Sequence, residues 1–197
     1  VKNPFNGDVV CDLPYDEGDS LAKKVTASRK CWELWRNVSL ADRISRIEEG
    51  LERFRKNSDE IARTVTLQMG KPLSQSENEV GTVFERAEYM ISIAEEALAP
   101  DILPEKEGFH RRIEHEPLGV VFNMAAWNYP LIIPVNVIVP ALLAGNTILL
   151  KHSAQTPLCG AAFEEAFGDL VTNLILTHEE TSRLIQNPAV SHVSFTG

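Results

Sequence analysis

Apolar positions fall at helical spacing along the first half of the chain and in short runs divided by turns along the second. Leu21, Val25, Ala27, Cys31, Leu34 and Trp35 form one stripe, predicting a helix capped by Asp19 or Ser20. Lys23, Lys24, Arg29 and Lys30 make its solvated face. A Ser39–Asp42 capping-box pattern opens a second helix with Ile44, Ile47, Leu51 and Phe54 inward. A third starts at Asn57 or Ser58, carries Ile61, Val65 and Met69, and stops at Gly70 and Pro72. The fourth spans residues 74–97, with Val80, Val83, Phe84, Ala87, Met90 and Ile93 inward. These four predict one packed helical layer, with Met69 and Met90 filling gaps in its core. Ahead of them, turn signals at Asn3-Pro4 and Asn6-Gly7 predict an extended arm or hairpin.

Residues 100–108 form a proline-rich acidic loop. Residues 109–118 are then too charged for a core strand and are held extended by Pro117, predicting an exposed edge strand or hairpin arm. Such an edge either pairs with a second subunit or is charged to prevent pairing. From Gly119 onward the pattern alternates strand and helix: strands at 119–124, 147–150, 172–176 and 190–195, helices at 130–144 and 156–167 and from the capping box at Thr177 to near Gln186. That spacing predicts an α/β fold, an open parallel doubly wound Rossmann-like sheet with ligands at the carboxyl ends of its strands. The expected organisation is an arm and helical layer over 1–108, an association arm at 109–118 and a βαβ portion over 119–197.

Composition narrows the class. A net charge of -9 and the lack of a basic stripe exclude nucleic acid as a natural partner. The longest apolar run, 131–144, is broken by Pro134, Asn136 and Pro140, so no membrane span is expected. The three cysteines, Cys11, Cys31 and Cys159, have no CxxC spacing. They fit a reducing, cytoplasmic setting without a structural metal. The opening residues lack the features of a signal peptide, and a start at Val with a stop after a strand-like run suggests cut ends.

The chemistry gathers at two strand ends. Asn128 precedes Pro130, which suits the first turn of a helix. Asn128 therefore either caps that helix or offers its amide to a developing oxyanion, as a neutral donor that cannot lose its proton there. No G-x-G-x-x-G occurs at this turn, so the usual glycine grip on a pyrophosphate is not expected. Lys151, after the second strand, is either a solvated strand end or a point charge for ribose or phosphate. His152 has no partner at metal-ligand spacing.

Several motifs together resemble the aldehyde dehydrogenase superfamily: 69–72 (MGKP), 115–119 (HEPLG), 127–130 (WNYP), 140–147 (PALLAGNT), 150–151 (LK), 156–157 (TP) and 193–197 (VSFTG). They keep the family's order across nearly the whole chain. Lys151-His152-Ser153 is similar to the bacterial succinate-semialdehyde dehydrogenase branch. The resemblance implies that a cysteine attacks an aldehyde, the oxyanion is held by an asparagine amide and a backbone N–H, hydride passes to a nicotinamide, and a glutamate activates water. On that pattern Asn128 is the oxyanion residue, and the cofactor meets Met124, Ala126, Trp127, Asn128, Lys151, His152, Ser153, Ala154, Phe195, Thr196 and Gly197. Tyr129, Ile133 and Asn136 face a substrate tunnel.

Three departures carry consequences. Ala126 replaces the usual proline. Ala154 stands where NAD-preferring members often carry a glutamate, so NADP is the expected cofactor, with NAD second. The segment 165–176 is shorter than the family's, through either a tighter turn or a missing loop. None of the three cysteines matches the nucleophile, and Cys159 is not assigned that role. The chain alone is thus expected to be inactive, as part of a homo-oligomeric enzyme acting on a small aldehyde. The competing expectation is a stand-alone nucleotide-binding or subunit-interaction module.

Overall fold

The computed structural model describes residues 1–197. Helices α1 (Gly18–Trp35), α2 (Leu40–Lys56), α3 (Ser58–Met69) and α4 (Leu73–Ala97) come first, then the short strands β1 (Asp101–Ile102) and β2 (Arg112–Ile113). The alternating half follows as β3 (Val120–Ala125), α5 (Ile132–Leu143), β4 (Thr147–His152), α6 (Pro157–Phe167), β5 (Val171–Asn173), α7 (His178–Ile185) and β6 (Val190–Phe195). The strands of this half form one parallel sheet in the order β5-β4-β3-β6. Successive strands are laid down on one side of β3, and the last is added on its other side.

Alternation along the strands divides the core between the two faces. Val121, Ala125, Ile148 and Leu150 join α2 to α6 in the larger cluster. Val120, Phe122 and Leu149 pack with Leu21, Val25 and Trp32 of α1 and Leu184 of α7 in the smaller one. The expected single layer of four helices is therefore corrected. Helices α2, α3 and α4 lie with α5 and α6 on one face, and α1 covers the other. Trp35 at the end of α1 reaches the larger cluster and donates its indole N–H to Leu142 O at 3.1 Å.

Within the helices most local signals hold. Helix α1, however, starts at Gly18 after an N-cap Glu17 that makes no side-chain cap hydrogen bond, not at an Asp19 or Ser20 cap. Three inward assignments, Ala27, Leu34 and Ile93, are reversed. Ser39 Oγ accepts from Asp42 N at 3.1 Å, while Asp42, too short to return to the backbone, takes the Ser39 hydroxyl instead. Gly70, at φ +78°, ends α3 in the left-handed conformation a side chain disfavours. Leu34 is exposed, and so is Ile93, whose neighbour Ala94 takes the buried place. Lys24, expected on the solvated face, pairs with Asp16 at 2.9 Å and donates to Asn173 O at 3.0 Å. Asp16 in turn accepts from Ile175 N at 2.9 Å, fastening the N-terminal arm beyond β5. The arm itself is a hairpin closed by a Lys2–Val9 bridge.

The charged segment after residue 108 contributes only β2, paired antiparallel with β1 from the segment expected to be a loop. All four paired residues are exposed. Between α6 and β5 a 3₁₀ turn, Gly168–Leu170, makes the connection. No helix is long and apolar enough to cross a membrane.

Candidate active site at the carboxyl edge of the sheet

The crevice of a doubly wound sheet opens where strand order reverses, here between the ends of β3 and β6. A cavity of about 350 Å³ lies there, lined by Met124, Ala125, Ala126, Trp127, Asn128, Lys151, Ser153, His178, Thr181, Phe195, Thr196 and Gly197. Backbone bonds fix its floor: Ser153 N donates to Ala125 O and Thr196 N to Met124 O, each at 3.0 Å. Lys151 enters from the end of β4, donating Nζ to His152 O at 3.2 Å. Partial burial lowers its ammonium pKa by disfavouring the charged form.

His178 and Thr181 were not expected here. They stand on α7, whose N-terminus follows directly from β5. Thr177 Oγ1 accepts from Glu180 N at 3.1 Å, so the capping box that placed the helix was also the signal that these residues face the strand ends.

His152 and Ala154 lie outside this cavity and line a hollow under the N-terminal arm with Cys11, Tyr15 and Leu174. Alternation along β4 turns His152 away from Lys151. Its ring is buried, with both nitrogens unpartnered, and a Cβ on Gly160 would come within 3.0 Å of it. Burial, helped by the charge of Lys151, depresses the His152 pKa from 6.5 to about 3. Tyr129, Ile133 and Asn136 also lie outside the cavity. Tyr129 and Asn136 are exposed, and Ile133 is partly buried against the larger cluster.

Asn128 does not cap α5. That helix begins at Ile132 with Leu131 as its N-cap and no local side-chain cap, so Pro130 falls in the turn before it. The cap comes from Glu79 on α4, whose Oε1 accepts from Leu131 N at 2.8 Å and Ile132 N at 3.2 Å. The other carboxylate oxygen pairs with buried Lys71, whose Nζ lies 4.4 Å from the Tyr129 ring centroid. Gln68 does the same for α6, accepting from Leu158 N at 3.0 Å. Relieved of capping, Asn128 stands exposed in the cavity wall.

Cys31 and Cys159 are poor nucleophiles. Cys159 is buried beside Glu79, and burial with that negative charge raises its pKa steeply. Cys31 is pushed up to about 12 by burial and by Asp169. No cluster of three or more His, Cys, Asp or Glu side chains is arranged to hold a metal ion.

The family model for the aldehyde dehydrogenase family matches residues 1–197. The chain belongs to the aldehyde dehydrogenase family. It is 31% identical over 201 residues to the succinate-semialdehyde dehydrogenase [NADP(+)] of Deinococcus radiodurans, covering 99% of this chain and 42% of that protein. It is 28% identical over 203 residues to a malonate-semialdehyde dehydrogenase of Bacillus cereus, covering 100% of the chain and 42% of the relative. The solved structure of PnpE in complex with nicotinamide adenine dinucleotide superposes with a TM-score of 0.92 at 25% identity, over 100% of this chain and 42% of that one. This aldehyde dehydrogenase chain thus spans well under half the length of the relatives it matches.

Proposed function

We propose that residues 1–197 form the cofactor-facing N-terminal portion of an NADP-preferring aldehyde dehydrogenase that oxidises a small aldehyde, with succinate semialdehyde the leading candidate. The observation that carries this is the cavity at the reversal of strand order, which gathers Asn128, Lys151 and Ser153 at one sheet edge. Within it, residues 1–108 supply the arm and helical support, 109–118 the association arm, and 119–197 the nucleotide and oxyanion groups.

The residues fit a nicotinamide dinucleotide. Met124, Ala126 and Phe195 offer apolar surface for a ring, and Lys151 and Ser153 offer a charge and a hydroxyl for the ribose end. The cavity lining holds no carboxylate, and Ala154 adds none just outside it, so a 2′-phosphate meets the Lys151 ammonium without repulsion. The bound cofactor would accept the hydride. Asn128 donates its amide N–H to the carbonyl oxygen as a thiolate from outside these residues adds to the aldehyde, stabilising the thiohemiacetal oxyanion. The chain's own buried thiols take no part.

Calorimetric titration of the full-length protein with NADP⁺ and NAD⁺, alongside turnover of succinate semialdehyde, tests the reading. NADP⁺ should bind more tightly, and Lys151→Met should narrow the difference. Equal affinity and equal turnover with both cofactors would count against the NADP preference. Nucleotide binding by the full-length protein with no aldehyde oxidation would favour a binding module instead.

A further inference from the structure

Loop 126–130 is suspended between fixed points. Upstream, its strand end is tied through Ala125 O and Met124 O. Downstream, the chain enters α5, whose first N–H groups would lack acceptors without Glu79. Glu79 is 3% exposed and contacts no part of the cavity. A lone carboxylate at that depth would be costly, and Lys71 compensates it from the opposite oxygen. Lys71 also lies over the ring of Tyr129, the residue after Asn128. One buried ion pair therefore holds the backbone beyond Asn128 and the side chain beside it. A donor acting on a developing charge is effective only when its position is fixed in advance.

We propose that Glu79, held by Lys71, is the positioning residue for Asn128: its carboxylate fixes the start of α5 and so sets where the loop presents the amide. This rests on Asn128 acting as the oxyanion donor. The α4 carboxylate replaces the cap that the local sequence does not provide.

The test is a double-mutant cycle in the full-length enzyme using Glu79→Ala, Asn128→Ala and both, with Glu79→Gln as the conservative variant and amide exchange at Leu131 and Ile132 as a readout independent of turnover. Glu79→Ala should speed exchange at both amides and lower kcat by about tenfold or more, with cofactor KM little changed. Glu79→Gln, which retains an acceptor oxygen for Leu131 and Ile132 but leaves buried Lys71 without its counter-charge, should recover part of both losses. In the Asn128→Ala background Glu79→Ala should cost less than about twofold further, because the donor it positions is gone. Equal losses in both backgrounds would show general destabilisation and overturn the positioning role alone, as would unchanged exchange at Leu131 and Ile132. Wild-type kcat in Asn128→Ala would overturn the oxyanion reading and the positioning role with it.

Discussion

Asn128 is exposed in a cavity wall, free of capping duty, so Asn128→Ala should leave the fold intact and act on chemistry. In the full-length enzyme we expect kcat to fall by about 10²–10³-fold with near-normal cofactor affinity, as for other oxyanion donors, measured by steady-state NADPH formation. His152 provides a pH handle. Its folded pKa, about 3, lies below its unfolded value of 6.5. The unfolded chain therefore binds the extra proton, and the stability from this group, complete above pH 6.5, is lost as pH falls toward 3. The slope is about 1.4 kcal/mol per pH unit from one group. Urea midpoints between pH 6.5 and 4.5 should drop less steeply in His152→Leu than in the parent chain. The motif around Asn128 and Lys151 was visible because its residues are close in sequence. That His152 turns away from Lys151 follows from a β4 running two residues longer than its apolar stretch, which periodicity alone does not show.

At the scale of elements, the side chains that cap α2 and α7 were legible because they are local, and those that cap α5 and α6 were hidden because they are not. Ser39 and Thr177 lie three residues from the N–H groups they cap. Glu79 and Gln68 reach α5 and α6 from other helices, and no local pattern marks them. The same limit explains α1, whose stripe predicts burial but not which face of the sheet it covers. Interhelical joints are tight as well. A Cβ on Gly50 of α2 would lie 2.6 Å from the Phe167 ring and 3.2 Å from Ala166 O, beside the 2.7 Å bond from Arg53 Nε to that same carbonyl. Gly50→Ala should force α2 from α6 and cost about 1–3 kcal/mol. A differential scanning trace should show a melting temperature roughly 2–12 °C lower.

For the whole molecule, the parallel sheet and its helices were legible from alternation, whereas the hairpin was half read, because β1 lies in a proline-rich stretch without strand periodicity. That hairpin carries Ile102, Phe109 and Ile113, all three exposed. Charging it with Phe109→Asp and Ile113→Asp should shift the full-length protein toward monomer in light scattering without lowering the melting temperature of the isolated chain. An unchanged oligomeric state would remove the proposed association role from 109–118. The strand order has a consequence of another kind, for synthesis. Because β3 sits inside the sheet with β6 as its far neighbour, one whole side of β3 stays open from the emergence of Ala125 until Val190 to Phe195 have left the ribosome. A nascent chain stalled in that interval offers an unpaired apolar strand to any chaperone or neighbouring polysome, so the vulnerable window of this fold lies during translation.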